Sequence, residues 1–309
     1  MAKIVICAPP QTERSDGARA LYFLCRSLRE IGVDANMLLM DLRDKTYRSF
    51  AFLAGATPDP DPTAPRYLGT DDTIDLANDV VIYPEIVPDN PLGARYVARY
   101  FLNKEGNLTG LPIAIAPTDM LLAFQRIFRP DASFILYYPM INLAPGDEIE
   151  YALNRPRPLS TTFFGKGVKY GTCTRVPGTL GLDWEKSYEE YQLLLRNSNY
   201  VFTYDFMTGV CADAVVHGAL PVVMSTAPWS AEEMAMIELK FPYITYEQYQ
   251  ARASESALLV DFLVQRRQMF DDVRAMRTDW PQRMERLVRH FEDTFGVRCT
   301  RFHNIRNDG

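Results

Sequence analysis

Long hydrophobic runs, histidine and cysteine are all scarce in this chain of 309 residues. No apolar run approaches the roughly 20 residues that a membrane-spanning helix needs, so we expect none. The start of the chain has the pattern of a first strand and not of a signal peptide, which predicts a cytoplasmic protein. The three histidines and five cysteines lack metal-ligand spacing. We therefore expect neither a structural zinc site nor another bound metal.

Two nucleotide-binding motifs are also missing. The spacing GxxxxGK[ST] of a P-loop does not occur, and no GxGxxG follows the first predicted strand. Asp41, at the end of the second predicted strand, resembles a dinucleotide-binding acid, but without that glycine motif we discount it. No DxD motif stands in a plausible metal setting.

Charge is unevenly distributed in a chain with a net charge of −6. That balance argues against a protein devoted to polyanions. Arginines nevertheless gather near the carboxyl terminus, at Arg283, Arg286, Arg289, Arg298, Arg301 and Arg306. Two interpretations stay open, a solvated helix face or a basic edge for a phosphate-rich acceptor or an acidic lipid surface.

Predicted strands alternate with predicted helices in both halves, which indicates doubly wound, largely parallel α/β sheets. In the first half we predict strands at 3–7, 35–40, 80–83, 113–116 and 134–138, and helices at 17–31 and 92–102. Proline-rich segments between 145 and 158 mark the crossing, which predicts domains at 1–155 and 156–309. The second half has predicted strands at 161–164, 199–204 and 220–224, helices at 188–197, 231–237, 246–253 and 257–274, and a last helix at 283–294 after a break at Trp280-Pro281.

The segment 203–224 is the most informative. Asp205 follows a short buried strand, Thr208 is a plausible helix start, and Gly218 is a helix stop before the next strand. Asp205 therefore lies at the carboxyl end of a strand, and Asp213 lies inside the following helix. In open α/β sheets that edge is where ligands bind.

This segment resembles the donor-site signature of the retaining GT-B glycosyltransferases, with Asp replacing both glutamates and Ala214, Gly218 and Pro221-Val222-Val223 matching. The resemblance, nearest to bacterial and phage sugar transferases, implies two Rossmann-like domains facing a cleft and a C-terminal helix returning to the first domain. It assigns Asp205 to the donor sugar, as a catalytic residue, and Asp213 to the nucleotide ribose. It also implies a nucleotide-sugar donor, retention at the anomeric carbon and no obligatory metal. A UDP-sugar is the first choice of donor.

A glycine-rich loop opens the second half, with Gly165, Lys166, Gly167 and Lys169 after a predicted strand. Glycine lets backbone N–H groups approach a diphosphate, and lysine adds positive charge. A similar Gly-Lys-Gly loop recurs in bacterial surface-sugar transferases. We expect the nucleotide to lie against Lys166, Lys169, Tyr204, Thr208 and Asp213; an ordinary basic turn is the alternative.

The first half carries weaker candidates. Gly17 opens the first helix, where free N–H groups could meet a phosphate or an acceptor oxygen, although a helix cap by Ser15 or Asp16 explains it equally well. Glu85 and Asn90 stand in a segment that resembles first domains of rhamnosyltransferases. Asp119 follows a predicted strand, which makes it a candidate acceptor-orienting group or base.

The sequence thus predicts a hexosyl- or pentosyltransferase that moves a sugar from a nucleotide-sugar to a hydroxyl acceptor. A polysaccharide or glycan is the first choice of acceptor. A hydroxylated modified base in DNA is the runner-up, on account of the arginine-rich end. Two other classes stay open: a sugar-nucleotide epimerase, which the sparse histidines disfavour, and a non-catalytic nucleotide-sugar-binding protein.

Overall fold

The computed structural model describes residues 1–10, 15–42, 50–53, 66–68, 72–141, 157–182, 187–252 and 255–302. Most of the predicted crossing at 145–158 lies outside these ranges. The chain forms two compact units. The first unit comprises Met1–Tyr138 and Thr278–Gly309, and the second comprises Pro139–Arg277. Within the described ranges, no helix is both long and apolar enough to cross a membrane.

The first unit is built on one mostly parallel sheet. The strands are β1 Ile4–Ala8, β2 Ala35–Leu42, β3 Phe50–Leu53, β4 Arg66–Tyr67, β5 Val80–Pro84, β6 Tyr96–Phe101, β7 Met120–Ala123 and β8 Phe134–Ile135. Their order in the sheet is β3-β2-β1-β5-β6-β7-β8, with β4 also paired to β2, and among these pairings only that of β3 with β2 is antiparallel.

Helix α1, Asp16–Glu30, packs its apolar stripe on this sheet, with Leu21, Leu24 and Leu28 fully buried. The last part of the long C-terminal helix joins the same core through five buried side chains: Trp280, Met284, Leu287, Val288 and Phe291. The indole N–H of Trp280 also donates to Ser27 Oγ at 2.8 Å. The first unit therefore takes part of its core from the far end of the chain.

The second unit holds a sheet of five strands, β9 Leu159–Phe163, β10 Leu180–Gly181, β11 Ser198–Thr203, β12 Leu220–Val223 and β13 Ile244–Thr245. Among the described residues this sheet is fully parallel, with the order β10-β9-β11-β12-β13. The helices are α2 Tyr188–Arg196, α3 Gly209–Val216, α4 Ala231–Ala235, α5 Tyr246–Gln250 and α6 Glu255–Phe295. Leu195, Val201, Val210 and Ala214 share one core of this unit, so α2 and α3 are packed on β11.

The predicted fold class is confirmed in its essentials. Both units are Rossmann-like α/β structures whose sheets are parallel except for the β2–β3 pair, and the C-terminal helix returns to the first unit. The predicted break at Trp280-Pro281 is wrong, because α6 continues through Pro281. An interior proline costs a helix about 3 kcal/mol. Burial of Trp280 and of the apolar side chains that follow Pro281 offsets that cost.

Two element predictions in the first unit are also wrong. The segment 92–102, predicted as a helix, instead contains β6 at Tyr96–Phe101, in which the charged Arg99 is buried and paired and does not face solvent. The segment 113–116, predicted as a strand, has no strand structure. Its neighbours Pro112 and Pro117 have no main-chain N–H to donate to an adjacent strand. The N–H of Ile113 donates to the Glu105 side chain instead.

Candidate functional site

The sheet of the second unit reverses its strand order at β9 and β11. From β9, the chain adds β10 on one side, whereas β11 pairs on the other side, with Thr203 opposite Phe163. In open α/β sheets such a reversal leaves a crevice at the carboxyl ends of the two strands, where ligands bind. The residues that follow these strand ends are Phe164–Lys169 and Tyr204-Asp205. The fold thus brings the predicted site residues Lys166, Tyr204 and Asp205 to one place.

Asp205 is the centre of this place. Its side chain is 7% exposed, and its Oδ2 accepts the main-chain N–H of Lys166 at 2.9 Å. The Lys166 ammonium lies 3.9 Å from the same oxygen and 3.3 Å from the Met207 carbonyl oxygen. Thr203 Oγ1 accepts the N–H of Asp205 at 3.0 Å and so orders the turn after β11. A nearly buried carboxylate is therefore held beside one cation at the strand ends.

The glycines of the loop are required by close packing. A Cβ on Gly165, where φ is +50°, would lie 2.6 Å from Asp205 Oδ2. A Cβ on Gly167 would lie 2.3 Å from the Tyr204 carbonyl oxygen. Both distances are far inside van der Waals contact, so the loop can press on the end of β11 only with glycine at these positions. The expected approach of their N–H groups to a diphosphate stays a prediction.

Tyr204 anchors the next part of the same loop. Its hydroxyl donates to the Thr174 carbonyl oxygen at 3.0 Å and lies 3.3 Å from the Thr174 nitrogen, whose N–H it accepts. Residues 165–176, here called the cationic loop, contain Lys166, Lys169 and Arg175 and no acidic residue. Tyr204 and Asp205 together tie this positively charged segment to the end of β11.

Helix α3 starts at the same edge of the sheet. Thr208 is its N-cap, with Oγ1 accepting the Val210 N–H at 3.5 Å, as predicted from the sequence. Asp213 lies inside α3, and Tyr191 on α2 donates its hydroxyl to Asp213 Oδ2 at 2.9 Å. Sequence reasoning missed Tyr191, because nothing in the local pattern of α2 points to a partner 22 residues away.

Electrostatics at this edge keep neighbouring groups protonated. Burial raises the pKa of the Tyr170 hydroxyl, and the negative charge of Asp205 raises it further. Burial also raises the pKa of the Cys211 thiol, with Asp205 and then Asp213 adding to the effect. Neither group is therefore an anionic nucleophile near neutral pH.

The first-unit candidates have well-defined structural contacts. Ser15 caps α1 by accepting the Ala18 N–H at 3.2 Å, which confirms the helix-cap interpretation of the segment around Gly17. Glu85 is buried and accepts the Leu102 N–H at 3.0 Å. A binding role for Gly17 stays a prediction.

The sequence predicts Asp119 at the end of a strand, but in the structure Asp119 immediately precedes β7. It therefore lies at the amino end of that strand. Its Oδ2 accepts from Arg99 Nε at 2.9 Å and from the Ala116 N–H at 3.2 Å. The strand-end placement is wrong because the strand starts after Asp119 and not before it. A catalytic role for Asp119 stays a prediction.

Most of the C-terminal arginines in the described ranges are paired with carboxylates. Arg286 lies 2.8 Å from Asp279, Arg298 lies 3.4 Å from Glu292, and Arg301 lies 2.7 Å from Glu285. Arg306 lies outside the described residues. These pairings reduce the positive charge that the segment could offer to a polyanion, which favours the interpretation of a solvated helix face.

Among the described residues, no three or more His, Cys, Asp or Glu side chains lie together in positions that could hold a metal ion.

Comparisons with known proteins identify similar structures but no related sequence. No family model matches the chain, and no curated protein matches it. A spinosyn rhamnosyltransferase, SpnG, is similar with a TM-score of 0.42 and 13% identity, over 94% of this chain and 100% of that chain. The glycotransferase of kitacinnamycin is similar with a TM-score of 0.41 and 13% identity, over 95% and 100%. Because one fold hosts many activities, these similarities do not decide what this chain does.

Proposed function

We propose that this chain is a glycosyltransferase that moves a sugar from a nucleotide-sugar donor to a hydroxyl acceptor. The observation that carries the proposal is the meeting of Asp205 and Lys166 at the strand-order reversal of the second sheet. Such a reversal is where α/β proteins hold nucleotides and related ligands. A buried carboxylate beside a cation suits a ligand with sugar hydroxyls on one side and phosphates on the other.

The cationic loop supports the departure of a nucleoside diphosphate. About two negative charges develop on that leaving group, and preorganised cations stabilise such charge in the transition state. Lys166 is held at the crevice by two contacts, and Arg175 is exposed on the same loop. The start of α3 adds main-chain N–H groups and the positive end of a helix dipole. In this proposal these groups, and no obligatory metal, bind the phosphates.

Asp205 would orient the donor sugar. Within the described part of the chain, protein hydrogen bonds reach its Oδ2 and leave Oδ1 to accept from sugar hydroxyls. Holding the sugar in one orientation can lower a barrier by several kcal/mol. With the acceptor attacking from the side of the leaving group, transfer proceeds with retention.

Asp213 would accept hydrogen bonds from the ribose hydroxyls of the nucleotide, which we propose to be UDP. The Tyr191 hydroxyl already donates to Asp213 Oδ2 and so fixes the orientation of the carboxylate. A carboxylate held in this way recognises ribose at a smaller entropic cost than a mobile one.

The proposed acceptor is a glycan or polysaccharide. A modified DNA base is the second candidate, but the arginines that motivate it are largely paired with carboxylates. An epimerase or a binding protein without transfer activity would use the same nucleotide-sugar site. Turnover in the presence of an acceptor separates both from the proposal.

Substitution of Asp205 tests the function. A thermal-shift screen over nucleoside diphosphates and nucleotide-sugars first identifies the donor, since binding stabilises a fold by about 2.7 kcal/mol at a hundredfold excess over Kd. Asp205→Asn should keep diphosphate binding and lose most transfer and most slow donor hydrolysis. Asp261→Asn, at an exposed position on α6, is the matched control. Wild-type rates of both reactions in Asp205→Asn would overturn the proposal.

A further inference from the structure

A cavity of about 310 Å³ lies in the first unit. The segment that precedes β6, from Asp89 to Arg95, and the segment that precedes β7, from Ala114 to Asp119, supply most of its lining. The cavity therefore lies toward the amino ends of these strands. Reacting ligands of open α/β sheets bind at the opposite, carboxyl ends. A ligand here would occupy a site separate from catalysis.

A buried ion pair forms part of the cavity lining. The side chains of Arg99 and Asp119 are 1% and 5% exposed and meet at 2.9 Å. Replacing a buried ion pair by apolar side chains is often neutral or stabilising, so a retained pair is weak evidence for a purely structural role. Its position against a cavity makes recognition of a ligand the better explanation.

The pair has hydrogen-bonding capacity left. The Arg99 guanidinium donates to Asp119, to the Val87 carbonyl oxygen at 3.0 Å and to the Asp89 carbonyl oxygen. A guanidinium has more N–H groups than these three contacts use. Asp119 accepts both of its protein hydrogen bonds through Oδ2. Across the described residues, no protein group bonds to Asp119 Oδ1, and N–H groups of Arg99 likewise remain for a ligand.

Backbone conformation at Asp89 supports a built site. Asp89 has a φ of 50°, in the left-handed region that favours glycine. Within the described ranges, no other residue except glycine has a positive φ. This conformation places its carbonyl oxygen on the Arg99 guanidinium. Sparsely populated backbone conformations cluster at ligand sites.

The lining is balanced in charge, because it contains Arg95 and Arg99 together with Asp89 and Asp119. Apolar surface comes from Ala94, Val97, Ala114 and Ile115, and Thr118 adds a hydroxyl. An ion would meet charge of its own sign here. The described lining residues include no aromatic ring on which a nucleobase could stack. A neutral ligand with alternating hydroxyl and C–H groups matches these features.

We propose that this cavity binds a neutral monosaccharide unit through Arg99 and Asp119. A sugar hydroxyl both donates and accepts, so neighbouring hydroxyls can satisfy the free carboxylate oxygen and the free guanidinium N–H groups together. The inference goes beyond the proposed transfer activity, and it holds whether or not the second unit transfers sugar.

Saturation-transfer NMR of the whole protein tests this site, with excess UDP present so that the proposed donor site of the second unit is already occupied. The probes are glucose, galactose, mannose and N-acetylglucosamine as neutral sugars, glucuronate and glucosamine as charged sugars, and uridine as a nucleoside. At least one neutral sugar should bind and should outcompete both its charged counterparts and uridine. A lack of binding by all neutral sugars, or tighter binding of a charged sugar or of uridine, overturns the proposal.

Two variants place the binding in this cavity. Ala114→Phe fills the cavity from an exposed lining position without touching the ion pair, and should weaken sugar binding at least about tenfold, or 1.4 kcal/mol. Leu111→Phe, at an exposed position outside the lining, is the control. Thr118→Val replaces the hydroxyl by a methyl group and gives a second test if Ala114→Phe does not fold. Wild-type affinity in the folded variants contradicts the proposal, whereas retained diphosphate binding in them separates this site from the donor site.

Discussion

The main-chain N–H of Lys166 donates to Oδ2 of Asp205 at 2.9 Å, although 39 residues separate the two along the chain. The bond joins the loop after β9 to the turn after β11. It places the lysine ammonium near the carboxylate without using the side chain for the attachment. The loop's position and its charge can therefore be changed separately by mutation.

Lys166→Ala removes the ammonium and keeps the main-chain bond to Asp205. We expect turnover to fall by about two orders of magnitude, because the lysine acts on charge that develops as the glycosidic bond breaks. Donor binding should change much less. Steady-state kinetics with the donor from the thermal screen measures both, with Lys240→Ala as the control at an exposed lysine. Unchanged turnover would show that Lys166 is an ordinary loop residue.

Asp213→Ala should weaken nucleoside diphosphate binding by about 1 to 3 kcal/mol, the usual effect of losing one partner of a buried polar contact. Tyr191→Phe should cause a smaller loss, since the carboxylate remains but is no longer held. Isothermal titration calorimetry measures both. Tyr188→Phe is the control, because it removes the same hydroxyl from a neighbouring tyrosine whose ring centroid lies 6.1 Å from that of Tyr191. If all three variants bind the nucleoside diphosphate as tightly as wild type, Asp213 does not belong to the nucleotide site.

Gly167→Ala and Gly171→Ala form a matched pair on the cationic loop. A Cβ at Gly167 would meet the backbone of Tyr204, whereas a Cβ at Gly171 has no atom within 4 Å. Overpacking of this kind costs about 1 to 3 kcal/mol. Gly171→Ala should stay within about 0.5 kcal/mol of wild type. Urea unfolding of the two variants measures the difference, and equal stability would show that the loop can move away from β11.

The Glu285–Arg301 pair makes part of the stability dependent on pH. The hydrogen bond from Arg301 is the main reason that the pKa of Glu285 lies below its ordinary value. A lowered folded-state pKa gives stability that is present above the unfolded pKa, about 4.3 for Glu, and is lost as the pH falls below it. Thermal unfolding from pH 7 to pH 3 should therefore show a steeper decline in wild type than in Glu285→Gln. Parallel declines would mean that the pair does not affect folding.

Local patterns along the chain predicted the second unit better than the first. Thr208 caps a helix, Gly218 follows its end, and Asp205 follows a buried strand, all as expected, because each depends on residues close in sequence. Arg99 misled the prediction for β6. A charge inside an apolar segment is typical of a solvated helix face. Arg99 is buried in a strand because it pairs with Asp119, 20 residues away, and donates to the carbonyl oxygens of Val87 and Asp89.

Contacts between distant residues explain the remaining gaps. The bond from Tyr191 to Asp213 and the close approach of Gly167 to Tyr204 depend on the packing of separate elements. Spacing along the sequence does not show which residues of separate elements come into contact. Lys166, Tyr204 and Asp205 lie together because they follow adjacent parallel strands, a relationship that strand order alone establishes.

The hydrogen bond between Ser27 and Trp280 spans 253 residues, and it has a consequence for the order in which the protein matures. Synthesis proceeds from the amino terminus, so most of the first unit leaves the ribosome long before the helix that completes its core. The second unit is continuous in sequence and can fold before the last helical segment of the first unit has been synthesised. In chains that end near residue 277 and have been released from the ribosome, we expect the second unit to resist protease and the first unit to be cleaved. Protection of both units at that length would show that the first folds without its closing helix.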